Sequence, residues 1–453
     1  MSDHAEAISN LLGYSTDEGY MKHEPILNLF DTNNNNYLDG RVNFDTQTLI
    51  NTWVDYHNGY LELDMKITGT NLNSAEVGIA LKNGIYQLVS SMQLKINNID
   101  VINNDYLPPY NSIRLYLTGD QEWEQTHGDL YLFAMDSQNK TEIVQLSGTP
   151  VTGYNADYNE GMDRRVEIFN LMRTNGIASA TEFTFTARVP LKMIHPYFEA
   201  LDRPLINARL QATFTISWIN GNQFNPLVLA TGTTATVTKL EVTKGKLVAY
   251  RCEFKPETAI KINQNLAKGM VVDTTFWQAK HFRGTESISV TRQDFQITSG
   301  IKAPRRVIVM FQNATDWASS ASCVPAVTHS YNKITKSNLE INNERVFQQD
   351  IENDYEHYKL LQRAMFSGED QNSNGCLIPY RSFLKNNYAY YIYDISTNKY
   401  IIKDPNASVQ LRYIAEKQLA TGGNPNAELH CFVEHECNVT INMTTSEVMK
   451  TGD

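Results

Sequence analysis

From Arg41 onward, apolar and polar residues alternate with a period close to two. Leu61-Glu62-Leu63-Asp64-Met65-Lys66-Ile67 is the clearest case, and Phe183 to Val189, Leu210 to Ile216 and Thr234 to Val242 repeat it. A period of two puts every second side chain on one face, so these segments predict half-buried β-strands. Their β-branched and aromatic residues suit a pleated surface. The second half keeps the style, with strands predicted at Ser287 to Val290, Arg306 to Gln312, Asn338 to Ile341, Ser408 to Ile414 and Leu429 to Met443. Turn-rich stretches such as Gly368 to Gly375 and Thr421 to Asn426 separate them.

Helical spacing is scarce. Tyr355, Tyr358, Leu361 and Met365 predict a helix over Ile351 to Phe366, with Asp350 placed to cap its start. A second helix is predicted over Pro109 to Leu117, with proline in the first turn, where its missing N–H costs little. These two helices belong to an internal echo. Leu94-Lys95-Ile96-Asn97-Asn98 returns 245 residues later as Leu339-Glu340-Ile341-Asn342-Asn343. The register then runs on without a gap through Val101/Val346, Asp105/Asp350, Tyr110/Tyr355 and Leu115/Leu360. Eight of the 23 positions from Leu94 to Tyr116 are identical, where chance gives roughly one or two. Both copies read as strand, Asn-Asn turn, short strand, helix. One repeat slightly longer than half of 453 residues predicts two similar domains in tandem, not a short-period solenoid.

The expected organisation follows. Residues 1–38 form a flexible N-terminal arm, with a weak helical patch at Ile8, Leu11 and Leu12 and an Asn-rich end. The first domain covers 39–248, interrupted over about 119–180 by a long connection of mixed character. The second domain covers 249–445, and 446–453 is a C-terminal tail.

Composition narrows the function. Apolar content is 42% and charged content 20%, enough for large cores without disulfides. The net charge of −11 argues against a protein whose task is to coat nucleic acid, which needs a basic surface. Met1-Ser2-Asp3-His4-Ala5-Glu6 does not resemble a secretory signal, and no stretch reaches the roughly 18 apolar residues of a membrane span. The five cysteines, 252, 323, 376, 431 and 437, are therefore expected as free thiols. Asn-x-Ser/Thr matches at Asn139, Asn313, Asn406, Asn438 and Asn442 are read as products of an Asn-rich chain.

Four places carry chemistry to be weighed. Asp31-x-Asn33-x-Asn35 with Tyr37 and Asp39 opens like a calcium loop. Its sixth position is Asn36, not Gly, and its twelfth is Val42, not Glu, so a solvated linker is preferred. His430 to Cys437 gathers N and S donors, and on a strand Cys431, His435 and Cys437 share a face with Val433. The paired Cys-x-x-Cys spacing of a zinc site is absent, so buried thiols are the preferred reading and no metal is assigned. Glu122-Trp123-Glu124 offers carboxylates for glycoside hydrolysis, as any acidic β-protein does. Tyr388-Ala389-Tyr390-Tyr391-Ile392-Tyr393 is the densest aromatic cluster, fit to stack sugars, anchor a subunit contact or fill a core. No Gly-rich phosphate loop, Gly-x-Ser-x-Gly elbow or His-Glu-x-x-His helix occurs, and neither an enzyme activity nor a cofactor is expected.

Two tandem antiparallel β-sandwiches with short helices in matching loops, an acidic balance and no catalytic motif resemble the double jelly-roll major capsid proteins of double-stranded DNA viruses. Those of polinton-like viruses and virophages are the most similar in character. Ser91 to Leu117 looks like the part leading into the helix of a first jelly roll, and Leu339 to Phe366 like its partner in the second. Gly40-Arg41-Val42-Asn43-Phe44 is similar to an opening strand. The resemblance implies an all-β chain of two eight-stranded antiparallel jelly-roll sandwiches. It implies a homotrimer forming a pseudo-hexameric capsomer, tiled into an icosahedral virion around double-stranded DNA and assembled inside the host cell. The implied partners are other copies of the chain, neighbouring trimers, and minor capsid and penton proteins. No sequence-specific nucleic-acid binding is implied. The 119–180 connection would sit outward or at the threefold contact, and the arm would reach beneath the shell. A tandem β-sandwich that binds carbohydrate through exposed aromatics is the alternative.

Overall fold

The computed structural model describes residues 21–34, 36–37, 40–46, 52–73, 78–136, 160–174, 180–217, 224–229, 235–285, 291–313, 317–318, 332–365, 377–384, 388–403, 407–419 and 427–452. Its strands in chain order are β1 (Met21–Phe30), β2 (Arg41–Asp45), β3 (Trp53–Thr70), β4 (Ile79–Leu81), β5 (Val89–Ile96), β6 (Ile99–Asn104), β7 (Glu182–Pro190), β8 (Leu210–Ile216), β9 (Leu227–Leu229) and β10 (Thr236–Phe254). There follow β11 (Val271–Thr285), β12 (Arg292–Lys302), β13 (Pro304–Asn313), β14 (Asn332–Ile341), β15 (Glu344–Arg345), β16 (Tyr391–Asp394), β17 (Ser408–Leu419), β18 (Ala427–Asn442) and β19 (Val448–Thr451).

Four antiparallel sheets carry the fold, in the orders β1-β10-β3-β7, β2-β8-β5-β6, β11-β18-β13-β16 and β12-β17-β14-β15. Leave aside β4 and β9, which pair with each other, and β19, which pairs with β18. Among the described residues each half then has eight strands. Counted in order within its half, one sheet of each reads 1-8-3-6 and the other 2-7-4-5. Both halves are therefore jelly rolls of identical topology. The alternating pattern does what its period requires. Leu61, Leu63, Met65 and Ile67 of β3 are fully buried, and they share a core with Leu94 and Ile96 of β5 and Phe214 of β8.

The repeated Ile-Asn-Asn is a hairpin turn in both halves. Asn97 and Asn98 have φ of 49° and 68°, and Asn342 and Asn343 have 53° and 64°. Positive φ at both central residues is the type I′ turn that suits strand twist, and asparagine tolerates it. The first Asn of each turn also clips the neighbouring strand. The Asn97 N–H donates to the Arg209 carbonyl, and its Oδ1 accepts from the Arg209 N–H, both at 2.9 Å. Asn342 does the same with Gln410, at 3.0 and 2.9 Å.

Several expectations are corrected. Residues 21–30 are not part of a free arm: they are the first strand of the first jelly roll, paired along β10. The Gly40–Phe44 segment lies in the second strand rather than the opening one. The boundary expected at 248/249 falls inside β10, and the expected tail at 446–453 contains β19. The second-half helix is Asp354–Ala364, capped by Asn353, whose Oδ1 accepts the Glu356 N–H at 2.7 Å. Asp350 instead accepts from the Asn338 amide at 2.9 Å and from Arg345 at 3.2 Å. Its first-half counterpart runs Leu107–Thr118. Helices Glu160–Thr174 and Pro256–Ala267 were not foreseen. The strand predicted at Ser287 to Val290, the loops at 368–375 and 421–426 and the patch around Ile8 lie outside the described residues.

Candidate functional site

The two jelly rolls meet along a buried seam, built mainly by the connection between the fifth and sixth strands of the first one. In that connection the Leu107–Thr118 helix lies on the outward face of the β11-β18-β13-β16 sheet. Leu107, Tyr110, Ile113, Tyr116 and Leu117 are all buried. Each such side chain contributes about 1.5–3 kcal/mol by leaving water. Tyr110 packs on Phe432 of β18 and donates its hydroxyl to Glu434 Oε1 at 2.9 Å. Glu434 is 1% exposed and is held from its other oxygen by Arg306 of β13. A carboxylate at that depth needs both partners, because burying it unpaired costs far more than either contact returns. Burial, then the Glu434 charge, pushes the Tyr110 phenol well above its ordinary value, so it stays a donor.

Further contacts cross the seam on both sides of this centre. Asn104 donates to the Ala279 carbonyl at 3.3 Å and accepts from Gln278. Asn97 reaches the Ser446 carbonyl at 2.7 Å. The Tyr106 ring lies 4.0 Å from that of His281, which shares a hydrogen bond of 2.8 Å with His430. Burial, then the neighbouring His430, holds His281 down to about 3, and burial lowers His430 as well. Both are neutral at physiological pH, as a dry joint requires. Phe276 of β11 packs at 5.3 Å from Tyr197, whose short helix (Pro196–Ala200) lies against that strand.

The 119–180 segment adds a second anchor. Within it the Glu160–Thr174 helix buries Met162, Val166 and Phe169. Arg165 and Asp136 form a fully buried ion pair at 2.6 Å. The Asp136 carbonyl in turn accepts the Tyr388 hydroxyl at 3.1 Å, so the insertion is tied to the second jelly roll.

The residues singled out in the sequence are placed as follows. Tyr388, Tyr390, Tyr391 and Tyr393 are all buried, Tyr388 and Tyr390 against Tyr116 at the seam, so none is offered to a sugar. Cys431 and Cys437 are buried free thiols on β18, which also carries the buried His435, and Cys252 is a buried free thiol on β10. Burial pushes the Cys431 thiol up, which keeps it a passive core group. Among the described residues, no group of three or more His, Cys, Asp or Glu side chains is arranged to hold a metal ion. Glu124 accepts the Met135 N–H at 2.8 Å, and Trp123 stacks on Tyr131, so this motif fixes a helix end.

The Asn-rich segment is a built loop, not a linker. Asp31 accepts from the Asn33 N–H at 3.0 Å, the Tyr37 hydroxyl at 2.7 Å and the Gly245 N–H at 3.1 Å. Asn33 bridges to the Arg41 carbonyl and the Asn43 N–H. Its side chains are spent on fastening the loop to β2 and β10. Asn35 and Asp39 lie outside the described residues. Beside it, a groove of about 510 Å³ crosses the outward face of the β2-β8-β5-β6 sheet. Its lining, including Arg41, Asn43, Gln93, Asn103 and Thr213, contains no aromatic ring among the described residues.

No protein-family model matches the chain, and no curated protein matches it by sequence. Solved structures do. A chain of the Sputnik virophage, seen by cryo-electron microscopy, superposes with a TM-score of 0.61 at 10% identity, over 97% of this chain and 90% of that one. The mavirus major capsid protein gives 0.60 at 11% identity, over 97% and 93%. The Faustovirus major capsid protein gives 0.51 at 10% identity, over 94% and 91%.

The chain has the double jelly-roll fold of viral major capsid proteins. The match extends over nearly the whole length of each partner, so it embraces both sandwiches and their relative placement. What sequence reasoning missed was the seam itself. Tyr110 stood in the repeat, but nothing local marked Glu434 as its partner 324 residues away, or Arg306 as the cation that holds Glu434.

Proposed function

We propose that this protein is a major capsid subunit, which assembles as a homotrimer into pseudo-hexagonal tiles of an icosahedral virion enclosing double-stranded DNA. The observation that carries the reading is the pair of jelly rolls of identical strand order, welded by a buried seam. Two like units in one chain let threefold symmetry generate a nearly sixfold outline, and closed cyclic symmetry limits each tile to one size. The chain's acidity suits a wall that encloses nucleic acid without gripping it. We divide the chain into a first unit at 21–254 and a second at 271–442, joined by the Pro256–Ala267 helix. Its partners on this reading are further copies, adjoining trimers, and minor capsid and penton proteins, and its role is structural rather than catalytic. The carbohydrate-binding alternative loses its main support, because the tyrosine cluster it needs is buried. Sedimentation of the purified protein tests the proposal. A species of about three times the 51.5 kDa chain mass, or larger shells, is expected. A strict monomer at high concentration would refute it.

A further inference from the structure

The seam inside the chain is a template for a contact outside it. Tyr110 and Tyr355 hold the same place in the internal repeat, yet Tyr110 is 2% exposed and Tyr355 is 59% exposed. The helices around them differ in the same way. Leu107–Thr118 buries nine residues against its surroundings, whereas Asp354–Ala364 buries only His357, Tyr358 and Leu361. The first helix is covered on most of its surface, whereas its counterpart packs on β16 by its His357 face and leaves Tyr355 exposed.

The sheets show the complementary difference. The outward face of β13 and β18 is covered, so β13 is buried on both sides from Val307 to Gln312. β3, the equivalent third strand of the first jelly roll, alternates buried and half-exposed residues, leaving its outward face open. That open face carries its own cross-strand charge pair. Glu62 of β3 and Lys246 of β10 are register partners 2.6 Å apart, as Arg306 and Glu434 are partners on β13 and β18. Glu62 and Arg306 are 244 residues apart, one step from the 245 of the repeat. Arg188 of β7, 67% exposed at its side chain, completes a basic surround for Glu62 at 2.9 Å. The Asp354–Ala364 helix brings the opposite sign at its start, with Asp354 and Glu356 in its first turn.

We propose that the Asp354–Ala364 helix of one copy docks on the outward face of the β1-β10-β3-β7 sheet of a second copy, with Tyr355 over Glu62 as Tyr110 lies over Glu434. This rests on the capsid-subunit reading and specifies its subunit contact. Each copy supplies one helix and one sheet face, so the contact is head to tail and repeats until the ring closes. Its surface is charged and accessible, with Arg188 67% exposed at its side chain, as expected of a contact that forms after folding.

Cysteine pairing tests the inference. Tyr355→Cys and Glu62→Cys in one full-length chain, treated with a short bismaleimide, should give a covalently closed trimer, and neither single variant should. Tyr355→Ala should raise the trimer dissociation constant about tenfold or more, the loss typical of a central interface tyrosine. A wild-type trimer with no cross-link in the double variant and an unchanged dissociation constant in Tyr355→Ala would overturn the docking while leaving the capsid reading intact. A wild-type protein that stays monomeric would overturn both.

Discussion

His357 shows how much a single buried side chain fixes. It is 1% exposed beneath the Asp354–Ala364 helix, with Nε2 2.9 Å from the Ser337 hydroxyl and Nδ1 3.0 Å from the Asn353 carbonyl. The carbonyl only accepts, so Nδ1 donates and Nε2 accepts, which defines a neutral tautomer. Burial holds its pKa down to about 4, against an upward pull from the Asn353 carbonyl. The sign of the pH effect follows. Below about 6.5 the unfolded chain takes up a proton that the folded residue refuses. Unfolding is therefore favoured increasingly as pH falls to about 4, where the folded residue also protonates. The loss amounts to about 3 kcal/mol at most. His195, His281 and His430 are also lowered by burial and act with the same sign. Denaturation midpoints measured from pH 7 to pH 4 should fall steeply, and His357→Gln should flatten part of that slope. A wild-type profile that is level over this range would contradict the assignment.

At the scale of elements, the strands with strict alternation were legible because one open face enforces a period of two. Leu210 to Ile216 was predicted and found without a residue's shift. β1 was not legible, since Pro25 interrupts it. Proline is accommodated there because β1 is an edge strand and its register steps between Glu24 and Ile26. The Glu160–Thr174 helix hid behind a polar exterior, although Met162, Val166 and Phe169 already carried helical spacing. The start of the Asp354–Ala364 helix was misplaced because Asp350 and Asn353 are both good caps, and only the fold shows that Asp350 is engaged by Asn338. The Arg165–Asp136 pair was beyond sequence reading, for its members come from a loop and a helix that nothing local links. It is the anchor of the insertion, so Asp136→Leu alone, which strands a buried guanidinium, should cost about 3–5 kcal/mol. The double change Asp136→Leu, Arg165→Met should recover most of it. Chemical denaturation of the three proteins checks this, and equal losses in single and double variants would contradict it.

The whole molecule is best understood as one design used twice with different neighbours. The repeat preserved what the fold needs: the Asn-Asn turns that clip β8 and β17, and the helix that follows each hairpin. It did not preserve what each copy faces. Tyr106, Tyr110 and Tyr116 became a permanent seam, while Tyr355 stayed open. This division explains why only eight of 23 residues match in the clearest stretch of the repeat. It also explains why the chain keeps the fold of proteins with which it shares about 10% identity, since jelly-roll topology tolerates wholesale exchange of residues if the pattern of buried positions is kept. Imaging of the purified protein by negative-stain electron microscopy shows whether it forms capsomer-like tiles. Hexagonally outlined particles with threefold symmetry are expected, alone or tiled into sheets and shells. Isolated two-lobed particles at concentrations where capsid subunits assemble would contradict the capsid reading.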